Sequence, residues 1–189
     1  MKCGKPIGDG QKEYCRDCLE NEHFFRQGRA LYAYPDVRQS IYRFKYKGRY
    51  EYAEFYGEET AKHLGSVIIG WKPDALIPVP LHNSRKRMRG YNQAEAYADA
   101  LGRALGIPVN TGLVKRVKKT TPQKRLNRRM RQNNLKKAFK IYGNDVKLNT
   151  IIIIDDIYTT GSTVDAMAMA LREAGIQNIY YVALAIGKE

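Results

Sequence analysis

Residues 150–163, Thr-Ile-Ile-Ile-Ile-Asp-Asp-Ile-Tyr-Thr-Thr-Gly-Ser-Thr, decide the fold of this 189-residue chain. The continuous apolar run at residues 150–154 is β-branched, which is typical of a strand covered on both faces of a parallel sheet. It leads directly into Asp155 and Asp156, which we expect to begin a loop. A helix is predicted next, from about residue 163 to 174, and Gly175 closes it. The stretch therefore predicts a buried strand, a polar loop and a helix, in that order.

The rest of the chain alternates strands and helices in a similar way. Further strands are predicted at residues 30–34, 75–79, 113–116, 139–142 and 179–186. Helices are predicted after Asp36 as cap, across residues 50–63, and from Asn92 as cap to Leu105, where Gly106 ends the helix. Residues 81–90 are predicted as a basic turn, and residues 120–137 as part loop and part helix. This alternation predicts an α/β fold in residues 29–189, a mostly parallel sheet flanked by helices.

Residues 1–28 are predicted to form a small cysteine-containing ribbon. All three cysteines, Cys3, Cys15 and Cys18, lie here, which is not how a disulfide framework distributes them. Cys15 and Cys18 form a CxxC pair, and Cys3 followed by Gly4 has the form of the end of a second pair. Zn²⁺ prefers four ligands, and the first cysteine of that second pair would precede Met1, so we expect a truncated zinc ribbon with His23 as a candidate fourth ligand. A metal-free relic stays open, whereas a thioredoxin-like redox pair is disfavoured because no βαβ context surrounds it.

The net charge of +14 is concentrated in one third of the chain. Residues 81–140 contain 17 basic and 2 acidic side chains. A positive field of this size attracts polyanions such as nucleic acid, polyphosphate or a phosphorylated substrate, although a merely solvated basic face is the alternative. The basic residues between Lys115 and Lys140 are the candidate contacts for nucleic acid, and we expect weak, salt-sensitive binding of single-stranded DNA without sequence specificity.

No membrane span is expected. The longest apolar run, at residues 151–154, is far shorter than the roughly 18 residues that a span needs, and the first residues lack the apolar core of a signal peptide. We therefore expect a cytoplasmic protein.

The loop at residues 155–163 has the composition of a sugar-phosphate site. Hydroxyl side chains and a glycine at the start of a helix present backbone N–H groups to a phosphate. Two carboxylates just upstream cannot bind phosphate, but they can accept hydrogen bonds from the vicinal hydroxyls of a ribose and help to hold Mg²⁺ through water. A phosphate at one end and a diol at the other describe ribose 5-phosphate.

This segment resembles the signature of type I phosphoribosyltransferases, which bind 5-phosphoribosyl-1-pyrophosphate (PRPP). The resemblance implies that Asp155 and Asp156 contact the ribose hydroxyls and serve the reaction together with Mg²⁺. It also implies that the 5′-phosphate is held by the residues that follow, Thr159, Thr160, Gly161, Ser162 and Thr163. An ordinary strand, turn and helix with polar caps is the alternative, but the match extends over nine residues.

Two further segments resemble the ComF/GntX group, whose members are competence-associated proteins. They are Ile-Pro-Val-Pro-Leu-His at residues 77–82 and Arg-Gly-Tyr-Asn-Gln-Ala at residues 89–94, and a middle motif matches at Thr121, Gln123, Leu126, Arg131, Asn134 and Phe139. In that group the turn after the strand is where pyrophosphate would lie. The residues that this implies are Val79, Pro80, Leu81, His82, Arg87 and Arg89, with Arg85 and Lys86 on the same turn. Arg89 is favoured as the residue that stabilises the negative charge of the leaving pyrophosphate. Nothing in the sequence around His82 identifies it as a general base.

Two functions follow as hypotheses. The first is an enzyme that transfers a phosphoribosyl group from PRPP to an unknown acceptor with Mg²⁺. The second is a PRPP-binding accessory protein that contacts single-stranded DNA and a helicase or ATPase of the competence machinery, as the resemblance implies. A pure zinc-ribbon adaptor is weaker, because the ribbon is a small part of the chain.

Overall fold

A computed structural model of the chain describes residues 2–7, 13–117, 138–143 and 148–187. The elements follow in the order α1 (Arg16–Glu20), β1 (Gln27–Ala33), α2 (Tyr34–Tyr46), α3 (Tyr52–Gly70), β2 (Ala75–Pro78), α4 (Asn83–Arg89), α5 (Gln93–Leu105), β3 (Val114–Arg116), β4 (Phe139–Ile141), β5 (Thr150–Tyr158), α6 (Ser162–Glu173) and β6 (Asn178–Ile186). Within the described residues no helix is both long and apolar enough to cross a bilayer.

The described strands form two sheets. Four parallel strands lie in the order β1-β6-β5-β2, and β3 pairs with β4 in a separate antiparallel ribbon. The parallel sheet and the helices on its faces confirm the predicted fold class. The carboxyl end of β2 lies beside β5, with Pro78 opposite Ile154, the residue that precedes the two aspartates.

The four consecutive isoleucines of β5 are explained by burial on both faces. Ile151 and Ile153 pack into one core with α6 and the cysteine segment, whereas Ile152 and Ile154 pack into the other with α2, α3 and α5. All four are fully buried. Since successive side chains of a strand point to opposite faces, a strand covered on both sides needs an apolar residue at every position.

Two helix boundaries follow their predicted caps. The Asn92 side chain accepts a hydrogen bond from the Ala94 N–H (3.2 Å), and Gly106 adopts a left-handed φ of 67° after the last turn of α5. On the facing helix, Gly57 allows a close crossing, because a Cβ there would lie 2.6 Å from the Ala100 Cβ. These local signals fix α5, which packs against both α3 and the sheet.

Four local predictions were wrong. Asp36 does not cap α2, because the helix begins at Tyr34 with Pro35 in its first turn and Asp36 falls inside that turn. Residues 83–89 form the helix α4 rather than a turn, since His82 caps it and Gly90 ends it with a left-handed φ of 82°. Asp155 and Asp156 belong to β5 rather than to a loop, because the ladder to β6 continues to Tyr158. Helix α3 continues to Gly70, seven residues past the predicted end.

The predicted basic stretch at residues 120–137 lies outside the described residues.

Candidate active site

The candidate site lies at the carboxyl edge of the parallel sheet, where ligands of open α/β folds bind. Asp155 and Asp156 lie near the carboxyl end of β5, and the hydroxyl-rich residues 159–163 connect that strand to α6. The turn after β2 lies next to them, because the Val79 N–H donates to the carbonyl of Ile154 (2.9 Å). Tertiary structure thus brings the predicted ribose, phosphate and pyrophosphate segments to one edge.

The two carboxylates have different surroundings. Asp156 is paired with Lys45 of α2, whose Nζ lies 2.8 Å from Oδ1, and both side chains are mostly buried. Asp155 accepts a hydrogen bond from the backbone N–H of Asp156 (2.8 Å). Burial, followed by the negative charge of Asp156, raises the pKa of Asp155 to about 7, while the positive charges of Lys45 and Arg116 oppose this rise. Asp155 is therefore protonated more readily near neutral pH than an exposed aspartate would be.

The loop between β5 and α6 is the segment predicted to bind phosphate. Gly161 has a left-handed φ of 71°, and a Cβ at that position would overlap the Tyr158 hydroxyl. Thr159 and Thr160 are exposed, and the Thr160 and Ser162 hydroxyls lie 2.8 Å apart. Residues 157–164 and Asp155 line a small cavity of about 30 Å³, and no side chain caps the first turn of α6. The geometry leaves the positive end of this helix facing the cavity, as a phosphate site requires.

The turn after β2 borders a larger cavity of about 420 Å³. Pro80, Leu81 and His82 line it, together with Lys86 of α4 and Lys115 and Arg116 of β3. The His82 ring accepts a hydrogen bond from the Ser84 N–H (3.3 Å) and caps α4. The cavity is therefore lined by this turn and by several cations, with Glu95 as an acidic residue among them.

The arginines of α4 are placed differently from one another. Arg87 is exposed, and it lines a shallow cavity with Asn83 and Lys86. Arg89 is held in place, since its guanidinium donates to Gln93 Oε1 (2.9 Å) and to the Tyr46 hydroxyl (3.1 Å). It also lies 4.9 Å from the centre of the Tyr46 ring.

Two residues at the site were missed by sequence reasoning. Lys45 lies 111 positions from the aspartate that it pairs with, in a helix that contains two other basic residues. Arg116 belongs to β3, and burial and neighbouring Arg85 lower its pKa while Asp155 opposes this change. No local pattern distinguishes either from the other 31 lysines and arginines, so only the packing identifies them.

The three cysteines come together as predicted. Their sulfur atoms all lie within 4.8 Å of one another, and Cys3 and Cys15 are buried with their Sγ atoms 3.3 Å apart. Burial raises the pKa of the Cys3 and Cys18 thiols. Three sulfurs at this spacing fit the donor set of a tetrahedral Zn²⁺ ion, where Zn–S bonds of about 2.3 Å place sulfurs somewhat under 4 Å apart.

His23 does not join the cysteine cluster. Its ring atoms are not among the ligand atoms that gather there, and its Nδ1 instead lies 2.8 Å from Asp165 Oδ2 in the first turn of α6. The Phe24 N–H donates to the other oxygen of the same carboxylate (3.1 Å). The cysteine segment is thereby attached to α6, the helix that follows the predicted phosphate loop.

Comparison with known proteins identifies the family. Residues 58–188 match the family described as phosphoribosyl transferase domain. The chain is 41% identical over 115 residues to Competence protein F of Haemophilus influenzae, which covers 60% of this chain and 50% of that protein. It is 30% identical over 183 residues to Competence protein ComFC of Bacillus subtilis, covering 92% of this chain and 71% of the relative.

A third relative carries a different name. The chain is 37% identical over 103 residues to DNA utilization protein YhgH of Escherichia coli, covering 54% of this chain and 45% of that protein. The matched stretches thus span about half the length of two of these relatives. The site geometry, the domain match and the similarity to ComFC along almost the whole chain agree, and the chain belongs to the ComF family of proteins with a phosphoribosyl transferase domain.

Proposed function

We propose that the protein binds PRPP with Mg²⁺ at the carboxyl edge of the sheet, transfers its phosphoribosyl group to an acceptor, and acts in the cytoplasm in natural competence. The observation that carries this proposal is the placement of two carboxylates at the end of a buried parallel strand, directly before the hydroxyl-rich loop of α6. One end of this surface suits a diol and the other suits a phosphate.

Each segment has a separate role in this proposal. Asp155 and Asp156 accept hydrogen bonds from the ribose hydroxyls, and residues Thr159 to Thr163 bind the 5′-phosphate through hydroxyl and backbone N–H groups. Pyrophosphate lies against the turn of residues 79–82 with Arg87 and Arg89 beside it. Bound Mg²⁺ would neutralise part of the charge on the pyrophosphate, and Asp155 and Asp156 are the residues that would hold it through water.

The reaction consists of one displacement at C1 of the ribose. The bond from C1 to the pyrophosphate oxygen breaks, the pyrophosphate leaves with the electron pair, and a bond forms between C1 and the acceptor. Since positive charge develops on the ring, the chain contributes mainly orientation and electrostatic stabilisation. The cations around the larger cavity, Lys86, Lys115 and Arg116, are positioned to stabilise the departing anion.

Calorimetry with PRPP and Mg²⁺ tests the site. We expect Asp155→Asn and Asp156→Asn to weaken PRPP binding by about tenfold or more, because each removes a charged hydrogen-bond acceptor worth roughly 1.5–3 kcal/mol. Asp36→Asn is the matched control, since this exposed aspartate of α2 should leave the affinity unchanged. Unaltered PRPP affinity in both site variants would refute the proposal.

A second candidate is an accessory protein that binds PRPP without turnover and contacts single-stranded DNA and a competence helicase or ATPase. The net charge of +14 supports a polyanionic partner, and the relatives are named for competence and for DNA utilization. An assay for pyrophosphate release separates the candidates. Release that depends on an added nucleobase or amine supports the enzyme, whereas PRPP binding without release supports the accessory role.

We also propose that Cys3, Cys15 and Cys18 hold zinc, with a fourth ligand that does not come from His23. The three sulfurs are already gathered, and the ring nitrogens of His23 do not lie among them. Elemental analysis of the purified protein should give about one zinc per chain, and Cys15→Ser should reduce it strongly. Purified protein without zinc would instead support the alternative that residues 1–28 are a metal-free remnant of a zinc ribbon.

A further inference from the structure

Helix α2 and the turn that follows it expose an unusual set of aromatic rings. Tyr42, Tyr46 and Tyr50, called here the tyrosine face, are 54%, 50% and 55% exposed. Large exposed aromatic side chains are uncommon on a surface that only contacts water, and a group of them marks an interaction site. The candidate active site uses none of their rings directly.

The rings of the tyrosine face are held in place by their neighbours. Tyr42 and Tyr46 lie 5.2 Å apart, and the Arg89 guanidinium lies 4.9 Å from the Tyr46 ring. Tyr50 contacts Tyr91 with ring centres 5.3 Å apart, and the Tyr91 hydroxyl donates to the carbonyl of Phe44 in α2. Rings fixed in this way lose little conformational freedom when a ligand stacks on them.

The same surface is positively charged. Residues 34–49 contain four basic side chains besides Lys45, and a single acidic one, Asp36. Lys45 pairs with Asp156 and Arg49 with Glu51, whereas Arg38, Arg43 and Lys47 have no carboxylate partner in the described part of the chain. Cations that alternate with aromatic rings complement a ligand that has phosphates along one side and flat rings along the other.

We propose that the tyrosine face binds single-stranded DNA, with bases stacked on Tyr42 and Tyr50 and phosphates on Arg43 and Lys47. Only unpaired bases present their faces to such rings, so a duplex would lose the stacking contribution. The inference rests on the proposed nucleic-acid role and locates it on α2. The bound strand would pass close to the PRPP site, because Lys45 and Tyr46 of the same helix contact Asp156 and Arg89.

Fluorescence anisotropy with a labelled oligothymidine strand tests this placement. We expect Tyr42→Ala with Tyr50→Ala to weaken binding about tenfold or more, since stacking of one base on one aromatic ring alone gives roughly that factor. The pair Tyr42→Phe with Tyr50→Phe keeps both rings and should stay within about twofold of the wild type. Tyr46 is left unchanged because it positions Arg89.

Two controls test whether the effect is specific to the tyrosine face. Phe55→Ala removes an equally exposed ring (55%) from α3, where its neighbours in sequence are Glu54, Glu58 and Glu59, and it should leave DNA binding intact. A second variant tests whether the ribbon of β3 and β4 binds the DNA instead, since two of its lysines lie about 5 Å from the Tyr142 ring. This variant combines Lys115→Gln, Lys140→Gln and Tyr142→Ala.

Several outcomes would overturn the inference. The first is an unchanged affinity for single-stranded DNA in the Tyr42→Ala, Tyr50→Ala protein, and the second is an equal loss of affinity in the Tyr42→Phe, Tyr50→Phe protein. The others are equally tight binding of duplex DNA by the wild type and a loss of affinity that occurs only in the variant of β3 and β4. A wild-type protein that binds no single strand would overturn the nucleic-acid proposal as well. PRPP calorimetry on the same proteins separates these failures from failure of the PRPP site, because none of the substituted tyrosines belongs to that site.

Discussion

Asp155 is a site residue whose acidity the fold changes strongly. Its pKa rises from an ordinary 3.8 to about 7, first because it is buried and second because Asp156 lies beside it. The folded protein binds this proton more tightly than the unfolded chain does, so this carboxyl makes the protein less stable as pH rises from about 4 to about 7.

The first prediction concerns pH. If the ionised form of Asp155 accepts the ribose hydroxyls, PRPP affinity should rise as pH rises through about 7 and then level off. Lys45→Gln removes a positive charge that lowers the pKa of Asp155, so the midpoint of this rise should move to higher pH. Calorimetry across the pH range measures both midpoints, and a profile that is flat in the wild type would contradict the assignment.

The second prediction concerns Gly161. Gly161→Ala should destabilise the fold by about 2 kcal/mol or more, because a Cβ at a left-handed φ is strained and here also meets the Tyr158 hydroxyl. Gly106→Ala is the matched control, since its φ of 67° is nearly the same as the 71° of Gly161 but its surroundings are open. Urea unfolding should show a loss of about 1 kcal/mol for the control. Equal losses would mean that the Tyr158 contact does not matter.

At the scale of elements, helix α6 is supported by the segment that precedes the sheet. Asp165 in its first turn accepts from the Phe24 N–H and pairs with the buried His23 ring. The ring of Phe25 then contacts Tyr158 and Tyr181, which stack on each other with centres 4.5 Å apart. Since Tyr158 directly precedes the predicted phosphate loop, residues 159–163, the position of this loop depends on that packing.

The third prediction follows from that support. Asp165→Ala leaves a buried ring nitrogen and a backbone N–H without their acceptor, so the protein should lose about 1–3 kcal/mol of stability. PRPP affinity should also fall, because the first turn of α6 carries the phosphate loop. Glu173→Ala, a change at the other end of α6, should stay within about 0.5 kcal/mol and bind PRPP normally. An Asp165→Ala protein with lower stability and full PRPP affinity would limit this carboxylate to a structural role.

At the scale of the whole molecule, the cysteine segment and the sheet share one core. Cys3, Cys15 and Phe25 pack in the same cluster as Ile151, Ile153 and residues of α6. The Tyr181 hydroxyl of β6 donates to the carbonyl of Cys3, and the Gly28 N–H of β1 donates to the carbonyl of Lys2 (2.9 Å). The division at about residue 28 stays a prediction about sequence, and this packing argues that both parts unfold together.

The fourth prediction tests that coupling. If the cysteines hold zinc as proposed, its removal by a chelator should lower the temperature of a single unfolding transition, since the cysteines and the sheet share one core. Calorimetry and tyrosine fluorescence should then report the same midpoint before and after chelation. A separate low-temperature transition that involves only the cysteine segment would instead support an independent ribbon.

The sequence alone determined those features of this protein that depend on residues close together in the chain. The isoleucine run, the caps Asn92 and Gly106, and the order of carboxylates, hydroxyls and helix at residues 155–163 are local patterns, and the fold class and the candidate site could be predicted from them. Only the tertiary structure decided that Lys45 neutralises Asp156 from 111 residues away and that His23 binds Asp165 across 142 residues. Such contacts depend on how helices pack on the sheet, and a lysine or histidine gives the same local signal whether it meets a carboxylate or water.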